Sequence, residues 1–174
     1  MKLKSKTYFI AIKWFVLSLI SSVANDTLSK YINLHFYEIT FFRFFCSLLV
    51  LLPFIISQNF SSILLPDNFS THFLRGIFLF LATTSWTYGL SVASIVTATV
   101  IGFTIPLLVL VLSKIFLKET ISWQRWIVVI MGLYGAIITI NPFSAEFDLS
   151  TLVFIISALL FAGLDILNKR NVVE

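Results

Sequence analysis

Long apolar stretches separated by short polar segments dominate this chain. A helix needs about 20 mostly apolar residues to cross the hydrocarbon core of a bilayer, and six stretches approach or reach that length. Helices are favoured over strands because the stretches are continuous, whereas barrel strands alternate over about 10 residues. The predicted fold class is an all-α integral membrane protein with six transmembrane helices, at Tyr8–Leu28, Phe36–Ser57, Phe73–Ser91, Thr97–Leu117, Trp126–Ile140 and Leu149–Leu167.

The first stretch has a second interpretation, as a cleaved signal peptide. Three lysines precede it, and Ser22-Val23-Ala24 resembles a signal-peptidase site. Lys13 interrupts the apolar run, however, and five further stretches follow it. The transmembrane helix is therefore the interpretation that we favour.

Composition agrees with the membrane prediction and excludes other classes. Of the 174 residues, 59% are hydrophobic and 11% charged, against about 25% charged in soluble domains. Cys46 is the single cysteine, so there is no disulfide framework, and His35 and His72 form no ligand motif. The sequence has neither a P-loop pattern nor an acid–base cluster. We expect no enzymatic activity, metal or cofactor, and no nucleic-acid partner.

The distribution of basic residues predicts the orientation. With a cytoplasmic N-terminus and alternating helices, nine of the twelve Lys and Arg residues lie inside, Lys30 lies outside, and Lys13 and Arg43 lie within spans. Such a bias follows the positive-inside rule, so both termini are predicted to be cytoplasmic. The nine inside are Lys2, Lys4, Lys6, Arg75, Lys114, Lys118, Arg125, Lys169 and Arg170.

The first and sixth stretches form an internal repeat. At an offset of 139 residues, both end in D-x-L-x-K, with Asp26 matching Asp165 and Lys30 matching Lys169. Because five spans separate the two starts, the second copy is inverted, as in many transporters. Further matched pairs are Phe15 with Phe154, Ser18 with Ser157, Ala24 with Gly163, and Leu28 with Leu167.

Several short stretches resemble a known family. The chain is similar to the drug/metabolite transporters of the EamA type, and most of all to the S-adenosylmethionine uptake transporters of obligate intracellular bacteria. The stretches that carry the resemblance are Ser21–Asp26, Ser29–Tyr31, Phe41–Phe45, Thr84–Leu90, Thr97–Val100, Pro106, Trp123–Trp126 and Gly132–Gly135. The Ser-Trp-Thr-Tyr-Gly and Trp-Gln-Arg-Trp stretches are the most specific.

The resemblance implies a layout and a function. The family has ten helices in two five-helix repeats, so residues 8–141 would be the first repeat and 149–174 the first helix of a truncated second one. The implied activity is uptake of S-adenosylmethionine, in exchange for S-adenosylhomocysteine, across a bacterial inner membrane. The expected partners are the lipid bilayer, the substrate, and either a second copy or a complementary fragment. A six-helix chain is expected not to transport as a monomer.

Two alternatives to this function stay open. One is transport of another metabolite, amino acid or drug. The other is a remnant or accessory membrane protein that transports nothing.

Polar and aromatic residues inside the spans are candidates for substrate binding. Ionisable groups in a membrane are costly and suggest function. Arg43 could bind the substrate carboxylate with its planar fork, Asp26 could bind the ammonium, and Trp86 could contact the sulfonium or adenine. The candidate substrate-binding residues, which share one depth in the outer half of the membrane, are Asp26, Arg43, Trp86, Tyr88, Thr97 and Thr99.

Each candidate also has a structural interpretation. Asp26 and Arg43 could pair with each other. Trp86 and Tyr88 could belong to the aromatic belt at the membrane surface. The two threonines could bond only to helix backbone, and Pro106 is predicted to kink the fourth span.

Overall fold

The computed structural model describes residues 2–57, 69–140 and 151–173. All regular secondary structure in these ranges is α-helical, which confirms the predicted all-α class there. Contacts divide the chain into two units, Met1–Asn33 and Leu34–Glu174. The helices are α1 (Lys2–Tyr31), α2 (Phe36–Ser57), α3 (Phe69–Val92), α4 (Ile95–Gly102), α5 (Ile105–Phe116), α6 (Trp123–Ile140) and α7 (Thr151–Val173).

Four stretches of the described residues are long and apolar enough to cross a membrane: Phe9–Tyr31, Phe36–Ser57, Ile95–Phe116 and Leu152–Arg170. They correspond to the first, second, fourth and sixth predicted spans. Helices α3 and α6, at the third and fifth predicted spans, are not among them. In α3 the reason is chemical, because His72, Arg75 and a run of hydroxyl side chains lower its mean hydropathy.

The first unit consists of α1 and two residues after it. Its hydroxyl side chains bond to the helix's own backbone: Ser18 Oγ donates to the carbonyl of Phe15 at 2.8 Å, and Thr27 Oγ1 to that of Val23 at 2.7 Å. Such local bonds satisfy a polar side chain on an apolar helix without a partner helix. Polar residues are thus compatible with a membrane-spanning α1.

Helices α2 and α3 form an antiparallel pair. The N-terminus of α2 is capped by Glu38, whose carboxylate accepts a hydrogen bond from the backbone N–H of His35 at 2.8 Å. Phe36 near the start of α2 lies 5.1 Å from Tyr88 near the end of α3. Eight residues further along α2, Phe44 lies 5.9 Å from Phe80. The register places the start of α2 level with the end of α3.

The fourth predicted span is one membrane-length segment made of two helices. Helix α4 ends at Gly102 and α5 begins at Ile105, with Pro106 in its first turn. Proline has no backbone N–H and its ring clashes with the carbonyl four residues earlier, so the α4 ladder cannot continue through it. The expected kink is therefore a break, closed by a 2.6 Å bond from Thr104 Oγ1 to the carbonyl of Ile101.

Helix α7 packs along α3 and also contacts α5. The Ser157 hydroxyl, fully buried, donates to the carbonyl of Ala82 at 2.7 Å. Phe154, also fully buried, lies so close to Gly89 that a Cβ there would approach its ring carbons to 2.7–2.9 Å. Because the earlier α7 residue meets the later α3 residue, the two helices run antiparallel.

The core of the second unit lies where α3, α4 and α7 meet. Six buried residues form it, with partly buried side chains from α5 packed against them. Helix α7 is therefore an integral part of this core. The six are Trp86, Leu90, Ala98, Ile101, Phe154 and Ala158.

Candidate substrate-binding region

Trp86 and Tyr88 lie on different sides of α3, because residues two apart on a helix are separated by about 200°. The Trp86 indole is 8% exposed and belongs to the core. Phe154 of α7 meets it edge to face at 5.1 Å, and Phe161 does so at 6.1 Å. The sequence placed the two α3 aromatics at one depth, but depth alone does not determine which way a side chain points.

Tyr88 is the more accessible of the two aromatics. Its side chain is 40% exposed, and its ring packs edge to face on Phe36 of α2. That contact holds the phenol at the end of the α2–α3 pair where α3 turns into α4. Sequence reasoning did not include Phe36 among the site residues, although its position at the start of an apolar span marks the same depth.

The two threonines of α4 contribute hydroxyls at this end. Ser94 caps α4: its Oγ accepts from the backbone N–H of Thr97 at 3.1 Å and lies 2.8 Å from the Thr97 hydroxyl. Thr99 is exposed and its hydroxyl donates to the carbonyl of Ile95 at 2.8 Å. Both hydroxyls retain acceptor capacity, so they can still bind a ligand donor.

Arg43 is half-buried on α2. Arg43 lies about 10 Å along α2 from Phe36. The register set by the Phe36–Tyr88 and Phe44–Phe80 contacts places it level with the middle of α3. Measured along the helix pair, Arg43 is about 10 Å from the level of Tyr88. The second unit therefore has Arg43 and Tyr88 along one α2–α3 pair.

Asp26 lies in the first unit, partly exposed on α1. Lys30 follows it by four residues, so both side chains share one face of the helix. In α7 the matched lysine, Lys169, bonds instead to Glu119 after α5, with Nζ and Oε2 2.5 Å apart. The lysine of the α7 copy thus pairs with a residue outside its own helix.

The opposite end of the second unit carries basic residues. Lys114 in the last turn of α5 has its Nζ 5.8 Å from the ring centre of Trp126 in α6. Lys118 follows α5 in a left-handed conformation, with φ of 52°. It turns the chain after α5 and leads directly to Glu119, the partner of Lys169.

No group of three or more histidine, cysteine, aspartate or glutamate side chains that could hold a metal occurs among the described residues. Cys46 is exposed on α2 with a free thiol.

Membrane-length helices and buried interhelical packing define a multi-pass α-helical membrane protein. Residues 9–141 match the model of the EamA-like transporter family. The chain belongs to that family, and the resemblance stated from the sequence is confirmed.

Curated relatives add detail. The S-adenosylmethionine uptake transporter of Rickettsia bellii is 51% identical over 171 residues, which are 97% of this chain and 58% of the relative. The transporter of the same name from Rickettsia felis is 47% identical over the same shares. A riboflavin transporter of Brucella anthropi is 26% identical over 75% of this chain and 46% of the relative. The match covers 58% of the length of each Rickettsia relative and 46% of the Brucella relative. No solved structure matches the chain.

Proposed function

We propose that this chain is the first five-helix repeat and the sixth helix of an S-adenosylmethionine uptake transporter that exchanges S-adenosylmethionine for S-adenosylhomocysteine. One observation carries the proposal: identity of 46–51% to four Rickettsia transporters of that name, over 97% of the chain.

The packing of α7 supports an inverted-repeat layout, with residues 8–141 as one repeat and 149–174 as the start of the next. Among the α7 residues that contact α3 are Phe154, Ser157 and Gly163. At the 139-residue offset these match Phe15, Ser18 and Ala24 of α1. If α1 has the same packing face, it can pack against the helix of the second repeat that corresponds to α3. The first helix of each repeat would then pack against the other repeat. This arrangement would place the transport pathway between the two repeats, where substrate sites of such transporters lie.

The proposed orientation has both termini in the cytoplasm of a bacterial cell, with the chain in the inner membrane. Helix α7 runs against α3, consistent with strict alternation. A Cys46→Ser background allows single cysteines to be placed at Asp67 and at Asp148, both outside the described residues. A membrane-impermeant maleimide added from outside should label the second and not the first. The reverse pattern would overturn the orientation.

Arg43 of the second unit would hold the substrate carboxylate, and Asp26 of the first unit is the candidate for the ammonium. Of the two aromatics, Tyr88 is better placed to meet the sulfonium or adenine, because Trp86 would have to lose its contact with Phe154 first. The exposed hydroxyl of Thr99, and the Thr97 hydroxyl beside the capping Ser94, would accept bonds from the ligand.

A chimera gives the direct test. This chain replaces the corresponding 171 residues of the Rickettsia bellii relative, so that the remaining helices are supplied in one polypeptide. Radiolabelled S-adenosylmethionine uptake into membrane vesicles should be saturable, and unlabelled S-adenosylhomocysteine inside should accelerate it. Equal uptake by empty vesicles would refute the function.

The Arg43→Lys variant of the chimera tests the carboxylate clamp. We expect uptake to fall at least tenfold although the charge is retained, because lysine lacks the fork that binds a carboxylate through two parallel bonds. Arg75→Lys on α3 is the matched control and should transport normally. Normal uptake by Arg43→Lys would leave Arg43 as a structural residue only.

Riboflavin is the second candidate substrate, since a relative that covers 75% of the chain is named a riboflavin transporter. It carries no carboxylate for Arg43. In the same vesicles, excess riboflavin should not compete with S-adenosylmethionine. Strong competition by riboflavin, with none by S-adenosylhomocysteine, would favour this second substrate.

A further inference from the structure

A shallow, open groove of about 380 Å³ runs between α5 and α6, on the basic end of the second unit. It is away from Tyr88 and the α4 threonines, which lie at the other end of the α4–α5 segment. Its walls are Pro106 and Leu110 from α5, and Gln124, Arg125, Val128 and Val129 from α6.

The lining of the groove is almost entirely apolar, and basic residues lie toward one end of the two helices that form it. On α5, Pro106, Leu110 and Lys114 are spaced four apart and share one face of the helix. On α6, Arg125 precedes Val128 by one turn. From Pro106 to Lys114 the apolar-to-basic path covers about 12 Å. The groove itself is therefore apolar, with Arg125 in its wall and Lys114 beyond its lining on the same face of α5.

The basic end carries positive charge that no described carboxylate neutralises. Lys114, Lys118 and Arg125 are all exposed. Glu119 is the one acidic residue of the α5–α6 connection, and Lys169 already occupies it. An anion of external origin can approach these three cations without displacing an ion pair.

Two tryptophans indicate the depth of this end. Trp123 and Trp126 lie in the first turn of α6, and Lys114 is held over the second of them. Tryptophan concentrates at the headgroup level of a bilayer. The cationic end of the groove thus lies at the height of lipid phosphates, with the valines at the height of acyl chains.

We propose that the α5–α6 groove binds an anionic phospholipid, with its phosphate on Arg125 and Lys114 and one acyl chain along Leu110 and Val128. Basic sites between membrane helices recognise anionic headgroups in this way. A zwitterionic lipid fills the apolar part equally well but cancels the attraction with its own cation. Selectivity for negative headgroups is the property that distinguishes this site from a general lipid-facing surface.

The test measures lipid retention, so it does not depend on transport. The purified chain in detergent is titrated with phosphatidylglycerol or with phosphatidylcholine of the same acyl chains, and bound lipid is counted by native mass spectrometry. We expect phosphatidylglycerol to bind at least fivefold more tightly. Arg125→Gln and Lys114→Gln should each weaken it about fivefold and leave phosphatidylcholine unchanged. The charge-matched control, Arg75→Gln, should bind as the wild type.

A second pair of variants tests the groove itself. Val128→Trp fills it and should reduce binding of both lipids, whereas Ile130→Trp, on another face of α6, should not. For the unmodified chain, raising the salt from 50 to 500 mM should remove the preference for phosphatidylglycerol, since salt screens exposed charges. This arm needs no variant to fold.

Equal binding of the two lipids by the unmodified chain would overturn the proposal, as would a preference that Arg125→Gln and Lys114→Gln leave intact. If Val128→Trp instead converts a dimer to a monomer and no lipid is retained by the wild type, the groove is a self-association surface.

Discussion

The contact between Gly89 and Phe154 can be tested with one methyl group. A Cβ at Gly89 would lie 2.7, 2.8 and 2.9 Å from three carbons of the Phe154 ring. Carbon atoms pack best at about 3.5–4.0 Å, so the ring has to retreat by about 0.7 Å. Phe154 is fully buried and Trp86 faces it edge-on, which leaves the ring little space to move into. We expect Gly89→Ala to loosen α7 from α3.

The expected magnitude follows from two opposing effects. Inserting a methyl group into a packed core costs about 1–3 kcal/mol. Alanine in a helix interior recovers about 0.5–1 kcal/mol relative to glycine. The net loss is therefore about 1–2 kcal/mol of unfolding free energy. At Gly76, on the same helix, a Cβ would meet no atom within 4 Å. Gly76→Ala should therefore only gain the helix-propensity contribution of about 0.5–1 kcal/mol.

The assay is unfolding of the purified chain in mixed micelles by titration with sodium dodecyl sulfate, followed by circular dichroism. We expect Gly89→Ala to lower the unfolding free energy and Gly76→Ala to raise it, whatever the exact helix propensity of alanine in a membrane. Phe154→Leu should cost less in the Gly89→Ala background than in the wild type, because the smaller side chain relieves the clash. If Gly89→Ala is as stable as Gly76→Ala, the close packing of α7 on α3 is wrong.

Three further predictions concern single contacts, measured by the same titration. Ser157→Ala should cost about 0.6 kcal/mol and at most about 1.7 kcal/mol of unfolding free energy, the range for hydrogen bonds between membrane helices. Ser91→Ala loses only a bond within its own helix and should change stability by less than about 0.5 kcal/mol. Equal effects of the two variants would contradict a stabilising interhelical bond at Ser157. Glu119→Gln should cost less than about 1 kcal/mol, and nothing at high salt, because the two side chains of the ion pair are 41% and 34% exposed; a larger, salt-independent cost would contradict this. Lys118→Gly should match or exceed the wild type in stability, since φ of 52° is strained for side chains with a Cβ. Lys118→Val should lose about 1–2 kcal/mol, because a β-branched side chain is the most strained in this conformation; equal stability of the two variants would argue against the left-handed turn.

Helix positions could be predicted from the sequence because lipid imposes a simple rule. With no water to bond backbone groups, an apolar run has to satisfy them internally, and a helix does so. The predicted span Phe36–Ser57 coincides with α2, and the run starting at Trp126 lies within α6. The effect of Pro106 was predicted as a kink and found as a break, which differs in degree but shares one cause.

The sequence indicated some of the α7 residues that make contacts, but not their partners. The repeat pattern marked Phe154 and Ser157 through their matches in α1, but it did not show which helix they contact. Gly89 belongs to the Ser-Trp-Thr-Tyr-Gly stretch, where it had no assigned role. Its role requires the Phe154 ring, which lies 65 residues away in the chain and reaches it only after folding.

The sequence by itself determined the all-α class, the approximate positions of most helices and the family, because each depends on local composition or on short motifs. Only the tertiary structure decided how the candidate residues are presented. Trp86 and Tyr88 share a depth that the sequence predicts, yet one is sealed behind Phe154 and the other stands exposed beside Phe36. The rise along a helix can be calculated from residue number, but burial depends on which neighbouring helix covers each face. That choice rests on packing between residues distant in sequence, as the seating of α7 on α3 demonstrates.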